Sequence, residues 1–321
     1  MGKIFKKISS IFDLSFIDSA AQNPIAFEKA KTIVQFFYYS QVPLAFINFL
    51  KLGAGDPQRS GFFPIWPMSW VGSLPYPEVA RIVFLFYLLA GFVATLFWSR
   101  RFAKILVFLA IFQIHALDSS FGYINHFFYL WLYVSFLFMF LPDTPIGKKI
   151  SIEVIKKFLF VYWASQAVIL LTYSFSGFWK IYWGIVAIFQ GAIGSFSPYA
   201  LSTHIAKTTI MEGRAYYFSN FMINNPIFSW FFFLGTLYIE FFSLWVAFKP
   251  NLHKVWGVVL ISMHVGILLA MGIPFFESIV ILCILMLNSP FAKEVISLND
   301  ILKDLPILNL LYRSAWFQKK I

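Results

Sequence analysis

Apolar stretches of about twenty residues recur along this chain, the length a helix needs to cross the hydrocarbon of a bilayer. They lie near 32–50, 79–98, 102–118, 124–142, 156–183, 228–248, 254–273 and 274–289. Proline and glycine punctuate them between 53 and 67, between 142 and 147, and at Pro274. The spacing predicts an all-α, polytopic membrane helix bundle of about eight spans. Only 12% of residues are charged, against about 25% in soluble proteins, so no soluble catalytic domain is expected. Residues 1–31 read as a cytoplasmic amphipathic segment, 32–289 as a single transmembrane domain, and 290–321 as a cytoplasmic tail. The stretch 185–201 is apolar but rich in Gly and Ser. As sequence it fits a ninth span, a re-entrant segment or an interfacial helix.

Charge gives the orientation. With eight spans and a cytoplasmic N-terminus, the inner segments hold 19 of the 25 Lys and Arg residues. The outer segments hold only Lys51, Arg59, Arg81, Lys180, Lys207 and Arg214. Positive loops stay in the cytoplasm during insertion, so both termini are expected there. A ninth span would move seven of the inner charges outside, which favours a re-entrant or interfacial reading of 185–201. The formal charge of +11 is spread between spans without a basic stripe, so no nucleic-acid partner is expected. The lone cysteine, Cys283, excludes an intrachain disulfide. His115 and His126 fall on different helices with no His or Cys at ligand spacing, and no metal is expected.

On this topology the ionisable residues gather in the outer half of the bundle. Asp118 closes the third span, Asn125 and His126 open the fourth, and Lys180 ends the fifth. Glu240 and His264 lie within the sixth and seventh. Gln166, Tyr173, Gly177, Lys180 and Gly184 follow steps of seven, four, three and four, which keep one helical face. Gly177 lets a neighbouring helix or a ligand approach the backbone. A charge inside a bilayer is costly and marks a functional position by default. A lysine near the boundary can instead snorkel to water. Both readings of Lys180 are open at this level, as are structural and proton-relay readings of a Glu240–His264 pair.

The order of three motifs resembles a known family. They are Leu117-Asp118 with Asn125-His126-Phe127-Phe128-Tyr129-Leu130; Tyr173-Ser174-Phe175-Ser176-Gly177-Phe178-Trp179-Lys180-Ile181; and Ile239-Glu240 through Met263-His264 to Gly272-Ile273-Pro274-Phe275. Together they resemble the membrane domain shared by vitamin K-dependent γ-carboxylases and the horizontally transferred transmembrane domain proteins of bacteria. The resemblance implies a reduced quinone as cofactor, with Lys180 as the base and His126 in hydrogen-bonding support. Asp118, Asn125, Tyr173, Glu240 and His264 form the supporting polar cluster, and the site faces the exterior. The carboxylases carry a large soluble domain after the membrane part, whereas this sequence stops at Ile321. It is therefore expected to match the short bacterial members. These include a membrane maturation factor for a secreted peptide toxin of the sporulation-delaying type. Two functions follow: a carboxylase-like enzyme modifying a secreted peptide or small substrate, or a non-catalytic peptide maturation factor.

Overall fold

The computed structural model describes residues 12–53, 61–122, 129–144 and 150–307. Regular structure among the described residues is helical throughout, with no strand. The helices are α1 (Ser15–Gln22), α2 (Pro24–Tyr39), α3 (Gln41–Gly53), α4 (Tyr76–Phe97), α5 (Arg101–Ser119), α6 (Tyr129–Phe138) and α7 (Ile152–Phe189). They continue with α8 (Ala200–Glu212), α9 (Ser219–Asn224), α10 (Pro226–Phe241), α11 (Ser243–Val246), α12 (His253–Met271), α13 (Phe276–Leu282) and α14 (Leu298–Asp304). Four segments are long and apolar enough to cross a membrane: α4, α5, α7 and Pro250–Met271. These make the chain a membrane protein.

The other apolar stretches are interrupted, and the interruptions have local causes. The stretch 32–50 is divided into α2 and α3 at Ser40, whose hydroxyl donates to Phe37 O over 2.8 Å. Pro43, lacking an N–H, cannot donate to the carbonyl of Tyr39 across that break. Helix α2 also starts earlier than the predicted 32, because Asn23 caps it by accepting from Ile25 N over 3.0 Å. The stretch 228–248 breaks at Phe242 between α10 and α11. The stretch 274–289 becomes α13 followed by a π-turn, Cys283–Leu287. In 185–201, α7 runs on to Phe189, non-helical chain follows, and α8 starts at Ala200. The start of the predicted span 124–142 lies outside the described residues.

The chain forms two compact units, Ile17–Ser165 and Gln166–Ile321 with Met1–Phe16. In the first unit, Phe37 stacks on Trp131 at 5.2 Å and meets Phe138 edge-on at 5.0 Å. Gln41 is buried there; it donates to Phe37 O and accepts from the Tyr87 hydroxyl at 2.8 Å. Lys104 is 1% exposed, and its amine donates to the carbonyls of Leu141 and Pro142 at 3.0 and 3.2 Å. In the second unit, α12 ends at Gly272, which adopts φ 70 before Ile273-Pro274 turns the chain into α13. The segment after the π-turn is docked. Trp245 and Tyr238 donate to the carbonyls of Asp304 and Pro306, and Ser297 with Asp300 caps α14.

Candidate functional site

The site is built on the part of α7 from Gln166 onward, which belongs to the second unit. This helix has 38 residues, about 57 Å at 1.5 Å per residue, nearly twice the hydrocarbon thickness. Between Ser174 and Lys180 the helix presents small residues at a three-residue step, and α10 crosses there. A methyl group on Gly177 would meet Phe241 N at 2.5 Å and the carbonyl carbon of Glu240 at 2.9 Å. Gly177 therefore lets the two backbones come together where any side chain would clash. Ser174 fixes the crossing: its hydroxyl donates to Phe241 O over 3.0 Å and accepts from Leu244 N over 2.8 Å. It thus bridges the break between α10 and α11, where the helical ladder leaves these groups unmatched.

One turn beyond Gly177, Lys180 reaches Glu240. The amine lies 2.5 and 2.6 Å from the two carboxylate oxygens. The Glu240 side chain is 6% exposed and that of Lys180 36%. The acid is thus buried at the carbonyl end of α10, where the helix dipole disfavours an anion and welcomes a cation. One turn before Gly177 along α7, in the other direction, the Tyr173 hydroxyl and His264 Nε2 share a 2.6 Å hydrogen bond, with both side chains buried. The ring of Phe275 packs on His264 at 4.9 Å. Tyr173 and Lys180 stand on one face of α7, so the two pairs share that face, about two turns apart.

The sequence grouped these residues but paired them otherwise. Glu240 and His264 are not partners: the acid goes to Lys180 and the imidazole to Tyr173. The Gly177 crossing brings α10 onto the Lys180 face, which leaves His264 to the next polar group along α7. Asp118 sits half-buried at the end of α5 in the first unit, where His115 stacks on Tyr129 at 4.3 Å. Asn125 and His126 lie outside the described residues. Ser174 escaped the sequence reading, although its three-residue step to Gly177 is the signal of a close helix crossing. His204 on α8 was also missed. Burial first, then the charges of Lys207 and Lys180, push its pKa below the ordinary histidine value. Among the described residues no group of His, Cys, Asp and Glu is arranged to hold a metal.

In chemical terms, the cluster has a reachable cation on a buried acid, next to a buried phenol–imidazole pair. Such an arrangement can hold a proton, accept one from a bound hydroxyl, or bind an anionic or hydroxyl-bearing group. No family model matches the chain, and no curated protein or solved structure matches it either.

Proposed function

We propose that this chain is a multipass membrane protein of about eight spans, resembling the γ-carboxylase membrane domain, in which Lys180 acts as a base toward a reduced quinone. The observation that carries the reading is convergence. Two of the three resembling motifs, far apart in sequence, meet as Lys180–Glu240 and Tyr173–His264. The remaining motif contributes His126 and Asn125 to the proposal on sequence grounds. Charge bias puts the site on the exterior side and both termini in the cytoplasm.

The residues suit a quinol. Lys180 is one-third exposed and reachable, while the exposed rings of Trp179, Tyr182 and Trp183 flank it in sequence and offer apolar contact. When bound, a reduced quinone supplies an acidic aromatic hydroxyl and reducing electrons. The chain supplies the proton handling. As an ion pair, Lys180 has no lone pair free. Transfer of one proton from Nζ to a Glu240 oxygen gives a neutral amine beside a neutral acid. That amine can then accept a proton, and the net charge of the pair before and after the transfer is zero. Tyr173 and His264 hold a second proton next to this pair. The substrate that follows is a secreted peptide or a small molecule reached from outside.

A second reading has its own support. Both carboxylate oxygens already engage Lys180, the geometry of a structural ion pair in a non-catalytic peptide maturation factor. Lys180→Arg separates the two. Arginine keeps the pair but stays protonated. The catalytic reading expects this variant to fold, retain co-purified quinone by mass spectrometry, and lose quinol-dependent activity. Full activity in Lys180→Arg, or the same lipid complement in wild type and Lys180→Ala without any quinone, would sink it.

A further inference from the structure

In the first unit, the segment that leads into α4 folds down along α5. Phe63 N donates to Ser120 O over 2.8 Å, at the end of that helix. A short 3-10 turn, Trp66–Val71, follows. There the Trp70 indole donates to Gln113 Oε1 over 3.0 Å, and Gln113 Nε2 donates to Pro67 O over 3.3 Å. The ring of Trp66 meets that of Phe112 at 6.5 Å. The chain then climbs back. Gly72 turns it at φ 55, and Tyr76 opens α4 with its ring 4.8 Å from that of Phe121. The Phe62 ring lies 5.5 and 5.6 Å from these two. Three rings thus close the neck of the loop, and Met68 and Val71 within it are buried.

These contacts set a depth. Helix α5 has 19 residues, about 28 Å, which matches a hydrocarbon core of about 30 Å, so its ends stand at the two boundaries. From Ser120 back to Gln113 is seven residues, about 10 Å into that core. Four residues of extended chain reach about 13 Å, enough to carry Pro67 there from Phe63. Backbone outside a regular helix reaches such depth only when it lies against protein and its polar groups are met. Pro64 and Pro67 bring no N–H, Ile65 N donates to Ser120 Oγ, and Met68 N donates to Ile65 O. Gln113, a polar residue within a spanning helix, takes the Trp70 indole.

The outward side of the loop is aromatic: Phe63 is 75% and Trp66 80% exposed, with Trp70 exposed beside them. It continues an apolar stripe of α5, where Phe102, Ile105 and Leu109 are exposed at steps of three and four and Phe112 stands next. We propose that 62–76 is a re-entrant aromatic loop whose Trp66 tip inserts among the acyl chains of the leaflet at the Ser119 end of α5, with Gln113 as its anchor. The partner is lipid, because the tip lies below the boundary and adjoins the exposed apolar stripe of a spanning helix. The loop stands apart from Lys180 in sequence and in unit, and the inference needs no quinone.

The test places one nitroxide at a time on the full chain in phosphatidylcholine vesicles, in a Cys283→Ser background. Leu109→Cys and Ser119→Cys calibrate depth along α5, and Phe63→Cys and Trp66→Cys report the loop. Collision with oxygen, which concentrates in hydrocarbon, is compared with collision with a water-soluble nickel chelate. The label at 66 should read about 10 Å deeper than the label at 119, and the label at 63 should read near the 119 level. Adding Gln113→Leu should raise nickel collision at 66 toward its value at 119, as the loop loses its anchor. A label at 66 that meets nickel more than oxygen puts the tip in water and overturns the proposal. So does a label at 66 that meets neither, which puts a second protein surface over the tip. An unchanged depth at 66 in a Gln113→Leu protein with the parent melting midpoint overturns the anchoring role of Gln113.

Discussion

Two lysines, one in each unit, meet the problem of a charge in apolar surroundings in opposite ways. Lys104 is itself buried, and its amine is held by two backbone carbonyls, with the nearest acid, half-exposed Asp143, 3.8 Å away. Lys180 is partly exposed, and its partner Glu240 is the buried member. In the first arrangement the buried cation is held by two carbonyls of the fold itself. In the second the cation neutralises a buried acid while part of it stays open to a ligand. A lysine in a membrane helix is thus informative through its partner's burial as much as through its own.

The largest effect expected of a single change is at the α7–α10 crossing. Gly177→Val places methyl groups against the backbone of Glu240 and Phe241. Overpacking costs about 1–3 kcal/mol, and displacing α10 loosens the ion pair as well. Thermal unfolding in detergent should show a loss above that of any other variant here. An unchanged midpoint would mean that α10 does not cross at Gly177.

Lys180→Met should come next. It strands Glu240, and unpairing a buried charge costs about 3–5 kcal/mol, a range whose lower end applies because the lysine is one-third exposed. The double change Lys180→Met with Glu240→Leu should recover most of that loss, since an apolar replacement of both partners removes the stranded charge. If the double variant is no more stable than the single one, the pair is not the source of the penalty.

Lys104→Met should cost less, about 1–3 kcal/mol, because it strands carbonyls and not a charge. Lys104→Arg sharpens the contrast: the larger fork must fit a site that is 1% exposed, whereas Lys180 is one-third exposed. Equal stability of the two arginine variants would erase the distinction between the sites.

The smallest effect is an acid one in the docked C-terminal segment. The Ser297 hydroxyl and the Lys293 amine hold the Asp300 carboxyl below the ordinary carboxylate pKa. A depressed folded-state pKa stabilises above the unfolded value and is lost as pH falls through the folded one. Cap loosening should therefore begin below about pH 4, the ordinary carboxylate range. Trp245, which donates to Asp304 O, reports it by fluorescence, and Asp300→Asn should abolish the transition.

Much of the architecture was legible because bilayer thickness and helix rise set the length of an apolar stretch. The stretches that became α4, α5, α7 and α12 are continuous runs without an internal proline or cap. Those predicted as continuous at 32–50, 228–248 and 274–289 were broken by features a hydropathy count passes over. Pro43 removes a donor, Ser174 captures the end of α10 from another helix, and a π-turn lengthens the ladder after Cys283. The face shared by Gln166, Tyr173, Gly177 and Lys180 was legible too, since helical periodicity alone sets it.

By itself, the sequence determined that this chain belongs in a membrane, that it is helical, and which side of α7 is polar. These follow from local quantities: apolar run length, periodicity and charge. Tertiary structure alone decided that Glu240 belongs to Lys180 and His264 to Tyr173. Partner choice depends on where two helices cross, and that crossing is fixed by the absence of one side chain at Gly177 and the reach of Ser174 across the break between α10 and α11. Neither can be read from the spacing of residues within a single helix.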